Sequence, residues 1–179
     1  YTKVDPTSPY AFPIAKAGVP FVGIAAFSTA VLALLGLAFL ALTGLAATFF
    51  ICYFFRDPER LVPDRDGVVV SPADGKVIKM ETVEKGRFCS EKCLKVSIFM
   101  SIFNVHVNRI PFTGEIVRVA YFPGKFFSAN LDKASSDNEH NAVFLKTDNG
   151  REICFVQIAG LVARRIICNV QEGQKVSRG

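Results

Sequence analysis

The feature that most constrains this chain is a run without a single charge, AGVPFVGIAAFSTAVLALLGLAFLALTGLAATFFICYFF, from Ala17 to Phe55. A bilayer core of about 30 Å takes about 20 apolar residues of helix, so the run is nearly two spans long. One straight helix would overshoot the membrane. Gly36 near the middle, with Gly44 after it, allows a break, and the economical expectation is a helical hairpin of two short legs. Lys3 and Lys16 precede the run, and Arg56, Arg60 and Arg65 follow it. Positive charge at both ends suits a hairpin whose ends share the cytoplasmic side of the cell membrane. The legs sit at the short limit for spanning, so a hairpin embedded in one leaflet is the alternative. A signal peptide is excluded by the length of the run and by the lack of a small-residue cleavage site before a mature domain.

The rest of the chain has a different texture. From Asp57, short apolar runs alternate with Gly, Pro, Asp and Asn: GVVVS, GKVIKMETV, LKVSIFMSI, GEIVRVAYF, NAVFLKT, REICFVQIAG and RRIICNV. Each reads as a strand, and PADG, PFTG, FPGK and TDNG stand between them as turns. No stretch here has helical periodicity. The pattern predicts a mostly β, compact barrel or sandwich over 57–179, preceded by an N-terminal region, 1–56, that carries the hairpin. The chain starts at Tyr1 and stops at Gly179 directly after a basic run, so it is expected to be a piece of a longer gene product.

Charge and cysteines narrow the function classes. The net charge is +5, of which Lys3, Asp5 and Lys16 contribute +1. A modest positive excess beside a membrane segment points to an anionic lipid surface. No basic run interleaves with aromatics, so nucleic acid is not an expected partner. Five scattered cysteines suit reduced thiols in a cytosolic compartment. The close pair in CSEKC lacks a second pair or a nearby histidine, so a loop between strands is expected there and no metal site. Phosphate-loop, nucleophile-elbow and zincin motifs are all missing.

Two features resemble swivelling carrier domains. SPADGKV is similar to the opening strand-turn of lipoyl and biotinyl domains, and NLDKASSD holds Lys133 in the acceptor place. A carrier modified at Lys133 is therefore a competing expectation. Against it, FFSANLDKASSDNEHN is a long polar loop without flanking alternation, and a carrier needs no membrane hairpin.

Taken in order, YFFRDPER, SPADGKV, SIFMSIFNVHVNRIPFTGEI, FPGKFFSANLDKASSDNEHN and VQIAGLVARRIICNVQEGQKVSRG resemble the phosphatidylserine decarboxylase proenzymes in their short prokaryotic form. The match covers the chain from about Tyr53 onward, and the hydrophobic segment before it agrees. The resemblance implies a barrel-sandwich-hybrid-like β domain. It also implies self-cleavage at a Gly-Ser bond, which turns the new N-terminal serine into a covalent pyruvoyl group. GS occurs nowhere here, so Tyr1–Gly179 is expected to be most of the large β-subunit. Its partners are then the small pyruvoyl-bearing α-subunit, the anionic phospholipid substrate, the membrane and a second copy in a homodimer. Decarboxylation leaves a carbanion that needs an electron sink, and a pyruvoyl carbonyl in a Schiff base with the substrate amine supplies one. An archaetidylserine substrate, with ether-linked tails, is an alternative, because tail chemistry lies outside a head-group pocket.

The candidate site centres on NVHVNRIP. Read as a strand, Asn104, His106 and Asn108 share one face. The resemblance makes His106 an active-pocket histidine that recognises substrate or transfers a proton; a core histidine bonded to a backbone carbonyl is the plainer reading. Where many relatives carry a second histidine for self-cleavage, this chain has Arg109. Either His106 serves both steps or Asp74, matching the family's triad aspartate in PADG, acts more directly. Asp-Gly is otherwise an ordinary turn dipeptide. The planar donor fork of Arg109 suits a substrate phosphate or carboxylate, or else a surface ion pair. Ser128 in FFSAN falls where the family has a substrate-contacting serine, and His140 reads as structural.

Overall fold

A computed structural model of the chain describes residues 14–89, 91–127 and 137–179. The chain forms two compact units. One takes the chain up to Arg60 together with Ile102–Val107, and the other takes Leu61–Ser101 and Asn108–Gly179.

In the first unit, a 3-10 turn at Lys16–Gly18 leads into α1, Val19–Leu34, with Pro20 in its first turn. There proline removes no intrahelical bond, because the first N–H groups of a helix have no carbonyl to reach. The second leg, α2, is Ala38–Phe54. Gly36, at φ +73°, makes the reversal between them, a backbone angle that side chains with a Cβ rarely adopt. Gly44 is not a break. It lies inside α2, where a Cβ would stand 2.7 Å from Thr29 Oγ1, so it lets the two helices approach closely. The Thr29 and Thr48 hydroxyls lie 3.3 Å apart across this crossing. Each also donates to a carbonyl one turn back, Ala25 and Gly44, so neither hydroxyl is left unpaired among apolar groups. The ends of the hairpin are zipped by a bridge between Ile14 and Arg56, with Ala15 N–H donating to the Phe55 carbonyl at 2.8 Å. Both helices are apolar on every side yet unburied, with Leu34 89% and Phe39 80% exposed. Helices of that kind belong in a protein core or in lipid. The stretch Lys16–Leu34 is long and apolar enough to cross a membrane, and α2 is shorter.

The second unit is mostly strand, in curled sheets, as the sequence predicts. An antiparallel pair joins β1, Lys76–Val83, to β2, Cys93–Phe99. A four-stranded sheet has the order β5-β4-β3-β6, where β3 is Gly114–Phe122, β4 His140–Lys146, β5 Glu152–Ile158 and β6 Lys175–Val176. Its core is Ile116, Val143 and Leu145, fully buried, with Val119, Ile153 and Phe155 packed around them. Each such side chain contributes about 1.5–3 kcal/mol by leaving water. The register of β3 against β4 shifts between Ile116 and Arg118. That irregularity lets Ile116 and Val119 both meet the core, opposite Leu145 and Val143.

Two expected strands do not form. The segment 67–71 joins no ladder: Val70 N–H donates to the Pro111 carbonyl, and just past the segment Arg109 N–H donates to the Pro72 carbonyl. Pro72 and Pro111 have no N–H to return, and the Val68 carbonyl accepts instead from Arg178 Nη1 at 2.9 Å. The segment 164–170 joins no ladder and is mostly exposed; β6, a few residues later, takes the place beside β3.

Candidate functional site

NVHVNRIP joins no ladder either. Val105 is buried, 3% exposed, and anchors the segment, while His106 is half-buried. The His106 Nδ1 lies 3.0 Å from the Asn104 carbonyl oxygen. A carbonyl only accepts, so Nδ1 carries the hydrogen in this contact and the lone pair of the neutral ring is on Nε2. The imidazole lies flat on Phe54, the last residue of α2, with ring centroids 4.3 Å apart and planes 26° from parallel. Burial holds its pKa below the ordinary value of 6.5; the Asn104 hydrogen bond opposes this, and the Arg56 guanidinium adds to it. Near neutral pH the ring is therefore uncharged, with a basic nitrogen available.

The loop that carries His106 is held by the same helix end. Tyr53 Oη donates to the Phe103 carbonyl at 3.2 Å, and Arg56 Nη2 donates to that oxygen at 2.7 Å. Arg56 also caps its own helix by donating Nη1 to the Tyr53 carbonyl, and stacks 3.9 Å above the Tyr53 ring. A cation at a helix C-terminus is favoured by the exposed carbonyls there. The sequence reading used Arg56 only as positive charge flanking the hairpin and gave Tyr53 and Phe54 no role of their own.

Asp74 and Arg109 belong to the other unit. Asp74 sits on the bend before β1, where Ser71 Oγ donates to the Ala73 carbonyl at 2.7 Å and draws the bend tight. The Arg109 N–H bond to Pro72, 2.8 Å, ties its backbone to that bend. The Arg109 side chain is half-buried and donates Nη1 to the Gly179 carbonyl at 3.2 Å, so its fork already serves the backbone. Ser128 and Lys133 lie outside the described residues. Just before Ser128, the fully buried Asn138 side chain accepts from Phe127 N–H at 2.9 Å. It also donates to the Phe127 and Ala159 carbonyls, both at 2.8 Å.

His140 repeats the local chemistry of His106 in a different setting. Its Nδ1 lies 2.7 Å from the Asn138 carbonyl oxygen and its ring stacks on Phe122 at 4.8 Å. It is only 2% exposed, inside β4, with Phe88 edge-on. A cavity of about 480 Å³ opens nearby on the same unit. Arg118 there lies over the Phe144 ring, and Arg87 over Phe122. Neither His106, Asp74 nor Arg109 lines it.

An apolar helical hairpin whose end grips an uncharged histidine, in a chain whose other unit is curled sheet, defines a β-domain protein with a membrane-type appendage. A family model described as phosphatidylserine decarboxylase matches residues 47–179. The phosphatidylserine decarboxylase proenzyme of Syntrophus aciditrophicus is 51% identical over 168 residues, 93% of this chain and 78% of that protein. The proenzyme of Desulfotalea psychrophila is 47% identical over 167 residues, with the same shares. That of Paramagnetospirillum magneticum is 47% identical over 173 residues, 94% of this chain and 71% of that protein. The chain belongs to the phosphatidylserine decarboxylase family, a family of carboxy-lyases. The resemblance read from its motifs holds.

Proposed function

We propose that this chain is the large part of a pyruvoyl-dependent decarboxylase that converts phosphatidylserine to phosphatidylethanolamine at the cytoplasmic face of the cell membrane. The observation that carries this is the family match across residues 47–179. The relatives are named as proenzymes, which supports a chain that cuts itself into two subunits. In this reading, 1–56 anchors the protein and 57–179 forms a catalytic domain completed by a small C-terminal chain. The complex works on an anionic phospholipid, and two copies of it associate.

The residues present fit a pyruvoyl group. A carbonyl that must condense with an ammonium needs a neighbouring uncharged base, and His106 has the tautomer and the burial for one. The pyruvoyl carbonyl supplies the electron sink for loss of carbon dioxide. His106 Nε2 takes a proton from the substrate ammonium and later, as imidazolium, returns one to the carbon that carbon dioxide has left. Phe54 keeps water from one side of that ring. Asp74 serves the self-cleavage step. Arg109 and Ser128 hold the substrate head group, with Arg109 turning from the Gly179 carbonyl to an anionic oxygen.

Intact-mass spectrometry of the full-length gene product tests this reading. The expected result is a large chain and a small one lighter than its serine form by the mass of ammonia, with turnover of phosphatidylserine lost in His106→Ala. A single uncleaved mass, with no carbon dioxide released from phosphatidylserine, would overturn it.

A further inference from the structure

Phe54 has no group that binds, ionises or reacts, yet it is the residue on which His106 lies. Three side chains at and just past the end of α2 reach the histidine loop: Tyr53 and Arg56 converge on the Phe103 carbonyl, and Phe54 lies under the imidazole. Phe54 is itself braced by Phe55, edge to face at 5.1 Å, and Phe55 stacks on Phe21 of α1 at 5.4 Å. The ring beneath the histidine is therefore buttressed by the base of the hairpin.

We propose that Phe54 is a positioning residue for the decarboxylation, fixing the plane of the His106 ring and shielding one face of it so that Nε2 acts as an uncharged base in one direction. This rests on the proposed role of His106. With Nδ1 tied to Asn104 and one face against Phe54, rotation of the ring is blocked and the direction of Nε2 is set. The hairpin is then part of the reactive machinery, because its last turn holds the base.

The consequence for protonation has a definite sign. Burial is the main cause of the depressed His106 pKa. Removing Phe54 admits water and moves that pKa up, toward the ordinary value. Arg56, the charged group acting on the ring, continues to push it down. A base that must be neutral then begins to fail at a higher pH, so the acid limb of the rate profile moves up.

The test uses the full-length, processed protein in lipid vesicles, with Phe54→Ala, Phe54→Leu and His106→Ala. The His106 titration is followed by NMR of histidine-labelled protein. In Phe54→Ala, kcat falls about tenfold or more while KM changes less than about twofold. The His106 titration and the acid limb of kcat move up together. Phe54→Leu keeps apolar bulk at the helix end without a flat ring; it retains the thermal midpoint and lies between wild type and Phe54→Ala in kcat and titration. Wild-type kcat and titration in both Phe54 variants, with His106→Ala inactive, would overturn this inference alone. A kcat loss that follows a lowered thermal midpoint, with the titration unmoved, would reduce Phe54 to packing and also overturn it. Full turnover by His106→Ala would remove the role of the histidine, and this inference with it.

Discussion

Two histidines on one chain show how little a residue's own chemistry decides. His106 and His140 each hold Nδ1 near the carbonyl of the residue two before, and each lies flat on a phenylalanine. The difference is access: His140 is 2% exposed inside a strand, while His106 stands half-open on a loop. Asn138, next to His140, shows the structural use of a buried polar group. Its amide makes three hydrogen bonds to the Phe127 and Ala159 backbone. Replacing it by leucine leaves two carbonyls and one N–H without partners, at a cost of about 2–4 kcal/mol. Urea unfolding of Asn138→Leu measures this, and a change within about 0.5 kcal/mol of wild type would mean that the bonds add little.

At the scale of elements, the hairpin depends on close approach. A leucine at Gly44 would drive its Cβ against Thr29 Oγ1 and separate the helices. Without a strong solvophobic drive in lipid, small residues at a crossing carry much of the association. Gly44→Leu is expected to lower the unfolding temperature in detergent by several degrees, at about 1–3 kcal/mol for overpacking; Gly23→Leu, whose Cβ meets nothing within 4 Å, is expected to leave it unchanged. The existence of this hairpin was legible, because thirty-odd uncharged residues have few other fates. Its turn at Gly36 was legible too, whereas the role of Gly44 was not, since a glycine that permits contact looks the same as one that permits a bend. Strands β1 to β5 were readable from alternation between turn signals. The irregularity at Val117 was hidden: strict alternation puts Arg118 on the Ile116 face, and only pairing with β4 reveals the shift. The segments 67–71 and 164–170 carry strand-like residues but lack partners in register. As for the site, the motif pointed to His106 by resemblance. Its grip by Tyr53, Phe54 and Arg56 stayed invisible, because no local pattern records a contact between residues 47 to 52 positions apart.

At the scale of the molecule, the chain is threaded through its units in an informative order. It builds the hairpin, begins the sheet unit, returns to the helical unit for Ile102–Val107, and then completes the sheet. A protein cut to begin at Asp57 loses the ring, the hydroxyl and the guanidinium that hold this loop. It is expected to show less than about one-tenth of wild-type kcat even on a short-chain, water-soluble phosphatidylserine. Full activity on that substrate would mean that the hairpin is only a tether. The Phe103 carbonyl is the meeting point of contacts spanning 47 and 50 residues, and closing so long a loop costs on the order of 3 kcal/mol in chain entropy. The hairpin, by contrast, closes through a three-residue turn and needs only neighbours in sequence. During synthesis it therefore forms early, and the histidine loop, translated later, docks onto a surface already built. Assembly is ordered by this dependence: the seat of His106 is completed only in molecules whose apolar hairpin has already folded.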